Sequence, residues 1–238
     1  MRDVPHPLPT SFAHPVGLVA ASVPRRTDAK DATAGWAGVQ GVAYTDPSRN
    51  PSTVEGVNQS YTQRFGITRT EVNEWALVGV PRDASVLEVG CAHGPQLNVM
   101  AACGFTNLAG CDVNADAIKL CTWPTKVADG RSLPYEDASF DLVMTSGTLM
   151  QIPPGGKAMF ADECYRVARR WVYGVEGASM QPGTWNFGDL IPPAWTDLVP
   201  ESIEQPGWKV VRVRWLDPIP RPGGGTMSLR VYLLEKEG

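Results

Sequence analysis

Val86-Leu87-Glu88-Val89-Gly90-Cys91-Ala92-His93-Gly94-Pro95 reads as an apolar strand running into a glycine-bounded turn and then a helix. Gly90 and Gly94 let the backbone turn tightly and approach a ligand closely. Pro95 suits the first position of a helix, where its missing N–H costs nothing. In open parallel sheets a turn of this kind, at the carboxyl end of a strand, is where ligands bind.

From this segment onward, short apolar runs alternate with helical stretches. Ser85–Val89 precedes a helix over Gln96–Cys103, and Leu108–Asp112 precedes a helix over Asp116–Cys121. Phe140–Thr145, a helix over Lys157–Arg169 and the run Trp171–Val175 continue the pattern. Leu97, Met100, Ala101 and Gly104 fall at helical spacing with Gly104 as the stop, and Phe160, Cys164 and Val167 repeat that spacing. The alternation predicts βαβ units and a parallel sheet. Trp208–Trp215 and Thr226–Glu235 are strand-like runs separated by Pro- and Gly-rich residues 217–225, which predicts a closing antiparallel hairpin.

The N-terminal side differs. Residues 1–35 carry five prolines and no apolar periodicity, so they read as a flexible arm dispensable for the fold. Residues 36–60 are punctuated by Gly and Pro, helical character begins near Ser60, and Thr70 is placed to cap a helix through Leu77 that stops at Gly79. The domain is therefore expected over 36–238: a cap at 36–80, a ligand-binding core at 84–176, and an acceptor-side segment with closing strands at 177–238.

Composition narrows the function. A chain of 238 residues with 43% hydrophobic and 19% charged residues can bury the core of one α/β domain. Its longest apolar runs fall far short of the roughly 18 residues of a membrane span, and its N-terminus lacks a secretory pattern. A net charge of −4 disfavours a polyanionic partner such as nucleic acid. The five cysteines form no C-x-x-C pair and sit mostly in apolar segments, which reads as buried thiols in a reducing cytoplasm. With three histidines, two of them in the arm, no metal site is expected.

The residues at the strand ends indicate the ligand. A dinucleotide fingerprint requires a third glycine where Pro95 stands, and Glu88 opposes phosphates. Glu-x-Gly-x-x-x-Gly suits instead a ligand with an ammonium and a sulfonium and no phosphate, namely S-adenosylmethionine. Asp112 ends the second strand, where a carboxylate accepts both hydroxyls of a ribose. Asp129 follows a short third strand and is placed to accept a bond from the adenine amino group. Ser139–Gly147 delivers Ser146 and Gly147 to the pocket floor.

With those residues in place, positions 84–176 resemble the class I S-adenosylmethionine-dependent methyltransferases. The resemblance implies a Rossmann-like, seven-stranded, mostly parallel α/β sheet with a C-terminal antiparallel hairpin and helices on both faces. It implies cofactor contacts from Tyr44, Arg49, Glu88, Gly90, Cys91, Ala92, His93, Gly94, Asp112, Val113, Asp129, Gly130, Arg131, Ser146 and Gly147. A narrower likeness over 36–200 is to methylases associated with pseudaminic acid biosynthesis. It rests on Tyr44-Thr45 with Arg49-Asn50, on Thr145-Ser146-Gly147 leading to Gln151-Ile152-Pro153-Pro154, on Tyr165-Arg166-Val167 and on Glu176. Gln151 departs from it, standing where those proteins usually carry histidine.

Methyl transfer from a sulfonium depends on orientation and desolvation, and needs a base only if the acceptor must lose a proton. Glu176, which follows the fifth strand, and His93 are the candidate catalytic residues, with Tyr173 and Tyr44 as further candidates. Trp185, Phe187, Trp195 and Trp208 are expected near the acceptor pocket. The expected reaction is O- or N-methylation of a small polar acceptor, such as a sugar or sugar nucleotide. A nucleic-acid or protein methyltransferase is one alternative, although Ile152-Pro153-Pro154-Gly155 lacks the polar first residue and the aromatic of an amino-methylating motif, and no Pro-Cys pair occurs. A non-catalytic cofactor-binding scaffold is the other.

Overall fold

The computed structural model describes residues 45, 50–152, 154–179, 206–220 and 228–238. In chain order the elements are α1 (Val54–Phe65), α2 (Arg69–Ala76), β1 (Ser85–Val89), α3 (Pro95–Ala102), β2 (Asn107–Asp112), α4 (Ala115–Leu120) and β3 (Thr125–Val127). Then come β4 (Phe140–Ser146), a 3₁₀ turn (Leu149–Gln151), α5 (Pro154–Val167), β5 (Ala168–Ser179), β6 (Trp208–Leu216) and β7 (Ser228–Lys236). They build one seven-stranded sheet in the order β3-β2-β1-β4-β5-β7-β6. Pairing is parallel from β3 through β5, and β7 joins both β5 and β6 antiparallel. This is the Rossmann-like sheet with a closing hairpin that the sequence predicts.

The central strands are buried on both faces, and their alternation feeds two separate cores. Val86, Met144, Tyr173, Val231 and Leu233 face the core that also takes in Val72, Leu77, Leu97 and Met100 from the helical side. Leu87, Val89, Val143, Val172 and Leu234 face the other core, against Phe160, Cys164 and Val167 of α5. Among the described residues no helix is long and apolar enough to cross a membrane.

Several element boundaries differ from expectation. Helical structure starts at Val54 rather than near Ser60, because Thr53 caps it by accepting a bond from the Gly56 amide at 3.1 Å. The cap of α2 is Thr68, not Thr70. Thr68 Oγ1 accepts from the Glu71 amide at 3.1 Å, and Glu71 Oε2 accepts from the Thr68 amide at 2.8 Å, a reciprocal capping box. Thr70 instead donates its amide to Asn58 Oδ1 at 3.0 Å, which fastens α2 to α1. At the other end, α5 stops at Val167 because Ala168 already pairs with Phe140 in the sheet. The arm at 1–35, residues 36–44 and 46–49 of the expected 36–80 cap, and residues 180–205 and 221–227 of the expected 177–238 segment lie outside the described residues.

Candidate functional site

A cavity opens at the carboxyl ends of β1, β2 and β4, where the strand order reverses between β1 and β4. Of the predicted residues, Gly90, Ala92, Asp112, Val113, Asp129, Gly130, Arg131, Ser146 and Gly147 line it. Glu88, Cys91, His93 and Gly94 do not. Glu88 lies in β1 behind the 90–94 turn that forms one wall, and Cys91, His93 and Gly94 belong to that turn. Tyr44 and Arg49, with Trp185, Phe187 and Trp195, fall outside the described residues.

The turn is held in an unusual backbone form. Gly90 has φ of 81°, a region open mainly to glycine, and a side chain there would collide with Thr148. Its carbonyl accepts a long bond from Thr148 Oγ1 at 3.4 Å, so the β1 turn and the β4 turn touch across the cavity. Ala92 also has positive φ, at 48°, which aims its amide at Asp112.

Asp112 links the two halves of the wall. Oδ2 accepts the Ala92 amide and Oδ1 accepts the Asn114 amide, both at 2.8 Å. Burial pushes its carboxyl above the usual range, and the amides of Asn114, Ala92 and Val113 pull it part of the way back. A carboxylate offers about four lone-pair directions. The side of Asp112 that faces the cavity therefore keeps capacity for ligand hydroxyls. Asn114 caps α4, accepting from the Asp116 and Ala117 amides at 3.1 Å, and so sets the helix beside the cavity.

Glu88 sits one layer deeper, only 1% exposed, with Oε2 lacking a partner among the described residues. Burial raises its pKa to about 8, with the buried Arg69 guanidinium opposing the rise. A cation placed next to it restores the ionised form. An orphaned, buried carboxylate oxygen behind the turn fits the ammonium of an amino-acid moiety.

Asp129 is already paired. Arg131 Nε approaches both carboxylate oxygens, at 2.9 and 3.1 Å, and the Arg131 amide donates to Oδ1 at 2.9 Å. The Arg131 side chain holds Asp129 below the usual carboxylate range. The pair forms a rim on the cavity.

The catalytic candidates are not among the residues that line the cavity. Glu176 does not face the cavity: it is fully buried, with Oε1 accepting the Thr148 amide at 3.2 Å and Oε2 the Leu149 amide at 3.1 Å. It braces the 3₁₀ turn from below, because its parity on β5 turns it toward α5, where Lys157 is also buried. His93 points away from the cavity, its Nε2 lying 3.2 Å from the Asn50 carbonyl, and burial lowers its pKa. Tyr173 is on the opposite core face, donating to Asn73 Oδ1 at 2.7 Å. Trp208 meets Tyr165 in a tilted ring contact at a centroid distance of 5.1 Å, near the far end of the sheet from the cavity.

Asn114, Thr148, Gln151 and Phe160 also line the cavity and escaped the sequence reading of the site. Asn114 carried a signal, since an asparagine between a strand and a helix is a good N-cap. Gln151 stood out only as a departure from the narrower family likeness, and Thr148 carried no signal.

Residues 87–171 match the family described as methyltransferase domain. This segment is a methyltransferase domain. S-adenosylmethionine is its methyl donor. No curated protein matches the chain. Among solved structures, the fold is similar to an S-adenosylmethionine-dependent methyltransferase from Aquifex aeolicus, with 17% identity over 79% of this chain and 98% of that one, at a TM-score of 0.53. A protein from Pyrococcus horikoshii is similar at 15% identity over 82% and 99%, with a TM-score of 0.56. The [4+2]-cyclase SpnF is similar at 16% identity over 71% and 79%, with a TM-score of 0.54. At these identities the likeness concerns the fold of the methyltransferase.

Proposed function

We propose that this methyltransferase acts on a small polar acceptor, methylating oxygen or nitrogen, with a sugar or sugar nucleotide as the acceptor class. The observation that carries the reading is the cavity itself. Its cofactor wall is carboxylate-bearing, and its β4 side presents the neutral hydrogen-bonding groups Thr148 and Gln151. Such groups suit a hydroxylated or amino-bearing metabolite. The net charge of −4 supports a small acceptor over nucleic acid. Five free cysteines suit a reducing, cytoplasmic setting.

In this reading Asp112 holds the ribose hydroxyls, the Asp129–Arg131 rim faces the adenine, and Glu88 with the 90–94 turn holds the amino-acid end. Ser146 and Gly147 lie under the reacting centre. S-adenosylmethionine supplies an activated methyl group. The chain supplies orientation and exclusion of water, which can account for much of the rate of such a displacement. Glu176 acts on this end indirectly, by fixing the backbone from which Thr148 and Gln151 project.

The test is transfer of labelled methyl from S-adenosylmethionine to panels of hydroxylated metabolites, nucleic acids and proteins. Label in small hydroxylated or amino metabolites supports the reading. Label confined to DNA, RNA or protein refutes the acceptor class.

A further inference from the structure

The segment that leads into α1 is fastened to the cofactor turn and to α3 at two points. His93 Nε2 lies 3.2 Å from the Asn50 carbonyl, and Asn98 of α3 donates its Nδ2 to the Ser52 carbonyl at 2.8 Å. Asn98 is held from behind by Trp123, whose Nε1 donates to its Oδ1 at 2.8 Å. Thr53, the residue after Ser52, caps α1: its side chain takes the Gly56 amide and its carbonyl the Val57 amide. The Asn98 contact contains no ionisable group, whereas the His93 contact does.

A carbonyl can only accept, so Nε2 carries the ring proton and Nδ1 keeps its lone pair. Nδ1 is buried and has no partner among the described residues, and His93 as a whole is 6% exposed. A second proton would therefore put a buried N–H without an acceptor and a buried charge without a counter-charge. The bond to Asn50 favours the charged ring, but burial outweighs it and holds His93 below the ordinary histidine value. The titratable neighbours do not offset this. Asp112 is engaged by the Ala92 and Asn114 amides, and Glu88, raised to about 8, is protonated in acid. The Cys91 thiol turns to the Ala92 carbonyl, the Cys121 sulfur packs over Gly94, and Glu55 at the start of α1 is exposed.

We propose that His93 is a positioning residue, an acid-sensitive latch that keeps the 50–53 segment on the cofactor turn while its ring is neutral. The ring gains its Nδ1 proton by leaving its site for water, and that movement releases the Asn50 carbonyl. The coupling to the cofactor rests on reading the cavity as the cofactor site. Ala92, the residue before His93, lines the cavity, has φ of 48° and donates its amide to Asp112 at 2.8 Å. Displacing the ring disturbs that link, so proton and cofactor oppose each other: acid opens the latch, and bound cofactor holds it shut. With a lowered folded pKa, the latch contributes fully above about 6.5 and loses its contribution as pH falls through the folded value. Until that value is reached, each pH unit below about 6.5 multiplies the open population by about ten.

The experiment follows hydrogen exchange of the Gly56 and Val57 amides in the full-length chain at pH 8 and pH 5.5. His93→Gln, which keeps a donor near the Nε2 position and cannot take a proton, is measured at the same pH values, so intrinsic exchange rates and the titration of Glu88 and Asp112 cancel. From pH 8 to pH 5.5 the wild type is expected to lose about tenfold in protection relative to the variant, and saturating S-adenosylhomocysteine is expected to restore it. An equal loss in both proteins, or no loss in the wild type, overturns the latch. S-adenosylhomocysteine that binds at pH 8 yet leaves the acid exchange unchanged overturns the coupling. Nitrogen NMR of the imidazole decides the matter if His93→Gln does not fold. His6→Gln with His14→Gln leaves His93 as the one histidine of the chain, and its Nδ1 is expected to be bare at pH 8 with a midpoint below about 6.5. A protonated Nδ1 at pH 8, or a midpoint at or above that value, overturns the proposal. Failure of the cofactor reading looks different: S-adenosylhomocysteine then binds at neither pH, although acid still opens the wild-type latch and not the variant's.

Discussion

Asp112→Asn separates the two tasks of one carboxylate. In the wild type each oxygen accepts a backbone amide at 2.8 Å, from Ala92 and from Asn114. Asparagine keeps one oxygen and replaces the other with an NH₂ group, so one of the two amides faces a donor. Leaving a buried donor unsatisfied costs about 1–3 kcal/mol, and the melting temperature of the cofactor-free protein falls accordingly. Binding suffers separately. A hydrogen bond to a charged acceptor contributes about 1.5–3 kcal/mol, which corresponds to about ten- to 150-fold in Kd. Titration calorimetry with S-adenosylhomocysteine at a temperature where the variant is fully folded measures this loss apart from stability. A variant that melts earlier yet keeps its Kd within about twofold makes Asp112 a structural brace and refutes the ribose assignment.

Glu176→Gln leaves one buried amide of the 3₁₀ turn opposite a donor; we expect a destabilisation of about 1–3 kcal/mol, with turnover falling further than S-adenosylhomocysteine affinity. An unchanged melting temperature contradicts the brace. Glu88 gives a pH signature: its folded pKa is raised to about 8, above an unfolded value of about 4.3, so its stabilising contribution is complete below the unfolded value and is lost as pH rises to about 8. In urea denaturation of the cofactor-free protein, the stability of wild type minus that of Glu88→Gln should shrink between pH 5 and 8; a constant difference shows that Glu88 titrates as an ordinary carboxyl.

The fold was legible because its signals are local and repeated. Alternating strand and helix patterns from Ser85 to Val175 and the two C-terminal runs give both the parallel sheet and the hairpin. The misplaced boundaries have particular causes. Thr68 and Thr70 are both plausible caps, and only Glu71 three residues after Thr68 distinguishes them. The end of α5 is set by a long-range pairing, Phe140 with Ala168, that competes with helix propensity and has no trace in the local pattern.

In the site, residues whose roles come from backbone geometry were readable, and residues whose roles depend on facing were not. Gly90 and Asp112 act through a turn and a strand end, and both features are contiguous in sequence. Glu176 is expected from sequence to follow the fifth strand, which suggests a role in the cavity, but it lies inside β5, paired with Arg230. Its face is decided by parity: Val175 turns to one core, while Glu176 turns to the side of Tyr232 and α5. There the free backbone amides of the 3₁₀ turn meet it. A charged residue next to a predicted strand end therefore supports two opposite roles, and the neighbouring strand's register selects between them. Asp129 follows the same logic at shorter range, because Arg131 folds back on it within one turn and makes it half of an ion pair. A carboxylate in such a motif is free for a ligand only to the extent that no nearby amide or guanidinium reaches it first. Asp112 meets this condition on its cavity side, although two amides already hold it.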